Sequence, residues 1–107
     1  MKTLKFKSHL VPLVLSGEKD VTWRLFDDKD LQPGDELELI NKDSMKKFGE
    51  ATIVGIREKT LGDITDADFD GHEKFESTEK MHETYRLFYG DRVTPETIVK
   101  IIQFKLK

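Results

Sequence analysis

The chain has 107 residues, no cysteine, 36% charged and 36% hydrophobic residues, and a formal net charge of −3. That length suits a single domain, 1–107, whose core holds without disulfides, and the missing thiols exclude disulfide frameworks and thiolate metal centres. No apolar run is long enough to cross a bilayer, and Met1-Lys2-Thr3-Leu4-Lys5 alternates where a signal peptide would be solidly apolar, so a cytoplasmic protein with no membrane partner is expected.

Thr3 to Lys7 reads as a strand with Leu4 and Phe6 inward. Ser8 is a good N-cap for a short helix that tolerates Pro12 in its first turn and stops at Gly17. Leu10, Val11, Leu13, Val14 and Leu15 surround that helix with apolar groups, so its burial is expected. The octet Gly17 to Arg24 reads as a turn followed by a strand. Successive strand side chains point to opposite faces, so Val21 and Trp23 share one side, and Asp20, Thr22 and Arg24 the other. Lys19 has the wrong parity to join Thr22 on a straight strand, and does so only if the turn or a bulge re-aims it. Trp23 pairs with Val21 as a core residue ahead of any role in stacking on a ligand.

Asp27 to Asp30 is a charged turn and Gln32-Pro33-Gly34-Asp35 a chain reversal. Glu36 to Asn41 alternates as a strand with Leu37 and Leu39 inward, and Lys42 to Phe48 reads as a polar loop. The next strand, Ala51 to Glu58, places Thr52, Val54 and Ile56 on one face, with Gly55 marking a bulge or a close backbone approach. Thr60 to Gly71 is rich in aspartate and suits short helical turns. Ser77 caps a second helix whose stripe is Met81, Thr84, Tyr85 and Phe88, ending at Gly90. Thr97 to Leu106 is the strongest strand, apolar on both faces and therefore central or covered on both sides. Strands that cluster without a regular βαβ alternation predict an α+β fold, a small mixed, mostly antiparallel β-barrel with two flanking helices.

Charge is unevenly spread. Residues 1–26 carry five Lys/Arg against two Asp/Glu, residues 92–107 four against one, and the middle nine against eighteen. If the two ends pair in one sheet, their lysines form a modest basic face; otherwise they solvate exposed strands. No metal site is expected. His9, His72 and His82 are badly spaced for one, and Asp63, Asp66, Asp68 and Asp70 lack the glycine and terminal glutamate of a calcium loop.

The buried first helix ending in Gly17, the Gly-x-Lys-x-x-Thr-x-Arg pattern at Gly17, Lys19, Thr22 and Arg24, the Pro33-Gly34-Asp35 turn, the late helix and the Ile102-x-Phe104 strand occur in that order. Together they resemble the ASCH domain, a member of the PUA-like barrel superfamily, over nearly the whole chain. The resemblance implies a partly open barrel, a cleft between the first helix and the loops, and binding of RNA or a nucleotide. It extends to small bacterial ASCH enzymes that deacylate N4-acetylcytidine and related bases. For these it implies a site made of Lys19, Thr22 and a glutamate before the last helix. Glu73 in Gly71-His72-Glu73-Lys74 fits that place by spacing, with Glu76 and Glu79 close by.

The chemistry leaves two readings. A threonine hydroxyl is a nucleophile only when a base takes its proton. Lys19 would be that base, or as an ammonium would stabilise the oxyanion, and Glu73 would shuttle a proton to the leaving amine. The other reading is a site that binds RNA or a nucleoside without turnover, with Lys19 and Arg24 on phosphate or a base edge and Thr22 giving one hydrogen bond. No cofactor is implied and a monomer is expected. A protein-interaction module using the acidic stretch 63–83 is the third class, and it would show neither behaviour.

Overall fold

A computed structural model describes residues 1–72 and 74–107. Five strands form one sheet: β1 (Lys2–Phe6), β2 (Val21–Leu25), β3 (Glu36–Asn41), β4 (Lys47–Thr60) and β5 (Ile98–Leu106). Their order is β1-β3-β4-β5-β2, with β1 parallel to β3 and every other pair antiparallel. Helix α1 (Val11–Ser16) connects β1 to β2, and α2 (Thr78–Tyr89) precedes β5. Short 3-10 turns occupy Ser8–Leu10, Leu61–Asp63 and Asp66–Phe69.

The fold is α+β, a curled half-barrel, mostly antiparallel. Its two end strands, β1 and β2, are bridged by side chains instead of a ladder. Arg24 Nη2 donates to the Lys5 carbonyl at 2.9 Å, and from the loop after β2 Lys29 Nζ donates to the Thr3 carbonyl at 2.6 Å. Because β1 and β5 are not neighbours, their lysines do not form a shared basic face. Lys107 pairs with Glu36, Lys2 with Asp35 and Lys100 with Asp27.

Strand β5 divides two cores. Ile102 and Phe104 pack with Leu4, Phe6, Leu37 and Leu39 inside the half-barrel. Val99 and Ile101 pack on the opposite side with Val21, Trp23, Met81 and Tyr85. The apolar character of both faces of this strand thus has two separate destinations. In β4 the register shifts between Ile53 and Gly55, so Ala51 and Ile53 are buried before the bulge and Ile56 packs on the same core after it. That extra residue reverses the alternation and leaves Val54 53% exposed, against the expectation that it shares a face with Ile56. The same strand begins at Lys47, inside the stretch that reads as a loop.

Two further departures have simple causes. Helix α1 has six residues, under two turns, and rests on the barrel by one side only; Val14 is fully buried while Leu15 is exposed. Ser8 does not cap it. Its hydroxyl donates to Asn41 Oδ1 at 3.0 Å, tying the start of the helical segment to the end of β3. Gly17 and Ser77 behave as the sequence predicts. Gly17 ends α1 at φ +85°, and the Ser77 hydroxyl accepts from the Lys80 amide.

Asp68 fastens the acidic stretch to β4. Only 2% exposed, its carboxylate accepts from Arg57 Nη1 at 2.9 Å, Lys59 Nζ at 2.8 Å and the Thr65 amide at 2.8 Å. Burial disfavours its charged form, but the bonds from Lys59, Thr65 and Arg57 outweigh that and hold the carboxyl well below the usual range. A depressed carboxyl stabilises the fold above its unfolded pKa, and that contribution is lost as acid titrates the folded group. Asp68→Asn should therefore cost about 2–3 kcal/mol at pH 7. In urea titrations the gap between variant and wild type should begin to narrow below roughly pH 4 and go on shrinking as acid titrates the folded carboxyl. A gap independent of pH would assign the loss to packing.

Candidate functional site

Alternation along β2 places Thr22 and Arg24 opposite Val21, Trp23 and Leu25, the three that enter the second core. The turn after α1 brings Lys19 to them. Gly17 takes the left-handed conformation, the Lys19 amide returns to the Leu13 carbonyl at 3.0 Å, and the Asp20 and Val21 amides both donate to the Gly71 carbonyl at 3.1 Å. Lys19 is thereby swung back along the start of the strand, where its Nζ donates to the Val21 carbonyl at 2.8 Å. The parity mismatch visible in the sequence is resolved by this turn, and the bulge lies elsewhere, on β4.

Lys19, Thr22 and Arg24 line one cavity of about 190 Å³. Lys19 is 4% and Thr22 5% exposed, so both are polar groups set into a largely dehydrated wall. Three more cations face the same space: Lys5 from β1, Lys7 just beyond it, and Lys42 from the turn after β3. The aromatic part of the wall consists of Phe6, Trp23, His72, Tyr85, Phe88 and Tyr89. His72 stacks on Trp23 with ring centroids 4.1 Å apart and planes 18° from parallel, and Tyr85 lies on Trp23 at 6.2 Å and 18°. Trp23, 3% exposed, is therefore core and cavity wall at once. Among the described residues, no carboxylate lines this cavity.

Arg24 has two evident tasks. Besides bridging to Lys5, its guanidinium sits 5.2 Å from the centre of the Phe6 ring, so it props the gap between the end strands. Glu73 lies outside the described residues. Of the alternatives to it, Glu76 borders a separate hollow with Thr65 and Asp66, and Glu79 is an exposed residue in the first turn of α2. Neither reaches the cavity that Lys19 and Thr22 share.

No family model matches the sequence, and neither does any curated protein. Solved structures do match. An Enterococcus faecalis V583 protein of the DUF984 family superposes with a TM-score of 0.75 at 13% identity, covering 92% of this chain and 69% of that one. The ASCH domain from Lactobacillus crispatus JV V101 gives 0.69 at 18% identity over 89% of this chain and 68% of that one. ASCH from Zymomonas mobilis gives 0.68 at 12% identity, covering 96% of this chain and 65% of the other. The chain has the ASCH-domain fold.

In this ASCH fold the open side of the half-barrel, between β1 and β2, is where the cavity forms. Sequence reasoning reached the β2 side of it, through the signature from Gly17 to Arg24. It missed Lys42, set in what reads as a polar loop, and assigned Phe88 to a buried stripe although the residue is 47% exposed. Both belong to the site through contacts across the chain. No local pattern marks them. Elsewhere among the described residues, no group of three His, Cys, Asp or Glu is placed to hold a metal, and no helix is long and apolar enough to cross a membrane.

Proposed function

We propose that the protein is an ASCH-family member that binds RNA or a modified nucleoside in the cavity around Lys19, Thr22 and Arg24. The observation that carries this reading is the lining: five cations and six aromatic or imidazole rings, with no carboxylate among the described residues. A positively charged hollow attracts a phosphate-bearing ligand, and flat π faces accept a base of any sequence. Thr22 adds a polar contact for orientation. The volume, about 190 Å³, suits a base and its sugar more than a folded partner.

Trp23 is the sole tryptophan and lines the cavity, so its emission reports binding directly. Titration with nucleoside 5′-monophosphates should change that emission, with an affinity that falls as salt rises. Lys19→Met should weaken monophosphate binding by at least about tenfold, the loss expected of one charge-assisted contact of ~1.5–3 kcal/mol. Unchanged affinity in that variant would move the ligand away from Lys19.

Amide hydrolysis is the second reading, and the burial of both Lys19 and Thr22 at one cavity wall favours it. In that scheme Thr22 Oγ1 adds to the acyl carbon of an N4-acylcytidine and gives up its proton to a base. The carbon–nitrogen bond then breaks with protonation of the cytosine nitrogen, and water hydrolyses the threonyl ester to the free acid. Lys19 serves as base or, as an ammonium, as oxyanion donor. The proton shuttle would be Glu73, matched by spacing alone. Purified protein incubated with N4-acetylcytidine should then release acetate, and Thr22→Ala should abolish release while Thr22→Ser keeps part of it. Tight binding of the nucleoside without any acetate would leave the binding function alone.

A further inference from the structure

We propose that the ligand is a single-stranded oligonucleotide and that Phe88 carries the base next to the one held in the cavity. This inference rests on the nucleotide-binding reading above. Phe88 lies in the last turn of α2, on the cavity rim, with 47% of its surface exposed, while Met81 and Tyr85 of the same helix are buried. Two ammonium groups from separate segments gather at its ring, Lys7 Nζ at 4.5 Å and Lys42 Nζ at 5.6 Å from the centroid. Their backbones are fixed together. The Lys42 amide donates to the Phe6 carbonyl at 2.8 Å, the Ser8 hydroxyl to Asn41 at 3.0 Å, and the Ser8 amide to Asp43 Oδ2 at 2.8 Å.

Two cations at one exposed ring, against the single carboxylate of Asp43 near Lys7, leave this rim net positive and attractive to an anion. A phosphodiester is such an anion, and the base attached to it has the flat face that an exposed phenyl ring accepts. A mononucleotide has a single base, which cannot sit among the buried rings of the cavity and on the exposed face of Phe88 at once. The opposite exit is unsuitable. The adjoining hollow shares Arg24 and Tyr89 with the cavity and adds Lys29 and Arg92, but it sets Asp27 and Asp28 beside them. It is therefore less uniformly positive than the lining that Lys7 and Lys42 share, which has no carboxylate among the described residues. The strand therefore leaves past Phe88, Lys7 and Lys42.

The test compares a fluorescein-labelled, random-sequence RNA hexamer pool, followed by anisotropy, with cytidine and uridine 5′-monophosphates, followed by Trp23 emission. A DNA pool of the same length separates the two sources of such a strand. The hexamers should bind at least about fivefold more tightly than the monophosphates, since stacking one more base contributes ~1–3 kcal/mol, a factor of roughly 5 to 150. Phe88→Ala should cut hexamer affinity at least about fivefold more than it cuts monophosphate affinity, and Phe88→Trp should restore hexamer affinity. Lys42→Gln should lower the slope of log affinity against log salt by about 0.7 for hexamers. Arg92→Gln should change neither ligand. Hexamers no tighter than monophosphates, or an equal loss of both in Phe88→Ala, would overturn the role of Phe88 and leave the cavity reading intact. Failure of every probe to bind would overturn both. Phe88 is exposed, so the variant's thermal midpoint should match the wild type and exclude misfolding as the cause.

Discussion

Gly71→Ala should destabilise the protein by about 2–4 kcal/mol and lower its thermal midpoint by roughly 10–25 °C. Two causes add. Gly71 has φ +77°, a conformation in which an L side chain costs roughly 1–2 kcal/mol. A Cβ there would also run into the Asp20 carboxylate and press on Val21 Cγ2 at 3.2 Å. The glycine is needed because its carbonyl accepts the amides of both Asp20 and Val21, which holds the 69–72 turn directly against the segment that aims Lys19. Asp20→Ala in the same chain removes the colliding carboxylate, so the double variant should recover about half of the loss, the remainder being backbone strain. Recovery of all or none of it would mean that only one of the two causes operates. Monophosphate binding should fall with the single variant and return in part with the double one, because both follow the position of the Lys19 turn.

The same turn shows what a sequence discloses and what it does not. The period of two along β2 was enough to separate Val21 and Trp23 from Thr22 and Arg24, because alternation is a property of the strand itself. Gly17 as helix stop, Ser77 as cap and Gly55 as bulge were legible for the same reason, each being a local conformational demand met by a local residue. The path of Lys19 was legible only as a condition, since the carbonyl that holds the Asp20 and Val21 amides belongs to Gly71, fifty residues along. Which strands adjoin was not legible at all. The lysines of β1 and β5 suggest one basic face, but β3 and β4 separate those strands, and the cations that gather do so from β1, β2 and the connections after β1, α1 and β3. Leu15 and Val54 misled in another way. An apolar side chain shows that burial would be favourable, whereas coverage depends on partners; α1 is too short to be enclosed, and the β4 bulge turns Val54 outward.

Trp23→Ala should be the most damaging substitution in the chain, at about 3–5 kcal/mol out of a total stability of ~5–15 kcal/mol. Its ring is packed between Phe69 at 5.0 Å, His72 at 4.1 Å and Tyr85 at 6.2 Å, so truncation empties the junction between the second core and the cavity wall. Trp23→Phe should behave differently. It keeps an aromatic face against His72, and it deletes the indole N–H, which is buried with no hydrogen-bond partner among the described residues. An unpartnered buried donor costs about 1–3 kcal/mol, which offsets much of the lost ring volume, so Trp23→Phe should be at least about 2 kcal/mol more stable than Trp23→Ala. Denaturant titration of the two variants checks the order, and equal losses would mean that ring volume alone sets the cost. The pair also separates two roles that one side chain combines. Binding is followed here by the anisotropy of a labelled oligonucleotide, since both variants lack the sole tryptophan. Weak binding by Trp23→Ala then says only that the wall has collapsed, whereas weak binding by a stable Trp23→Phe would make the indole itself part of the ligand's surface.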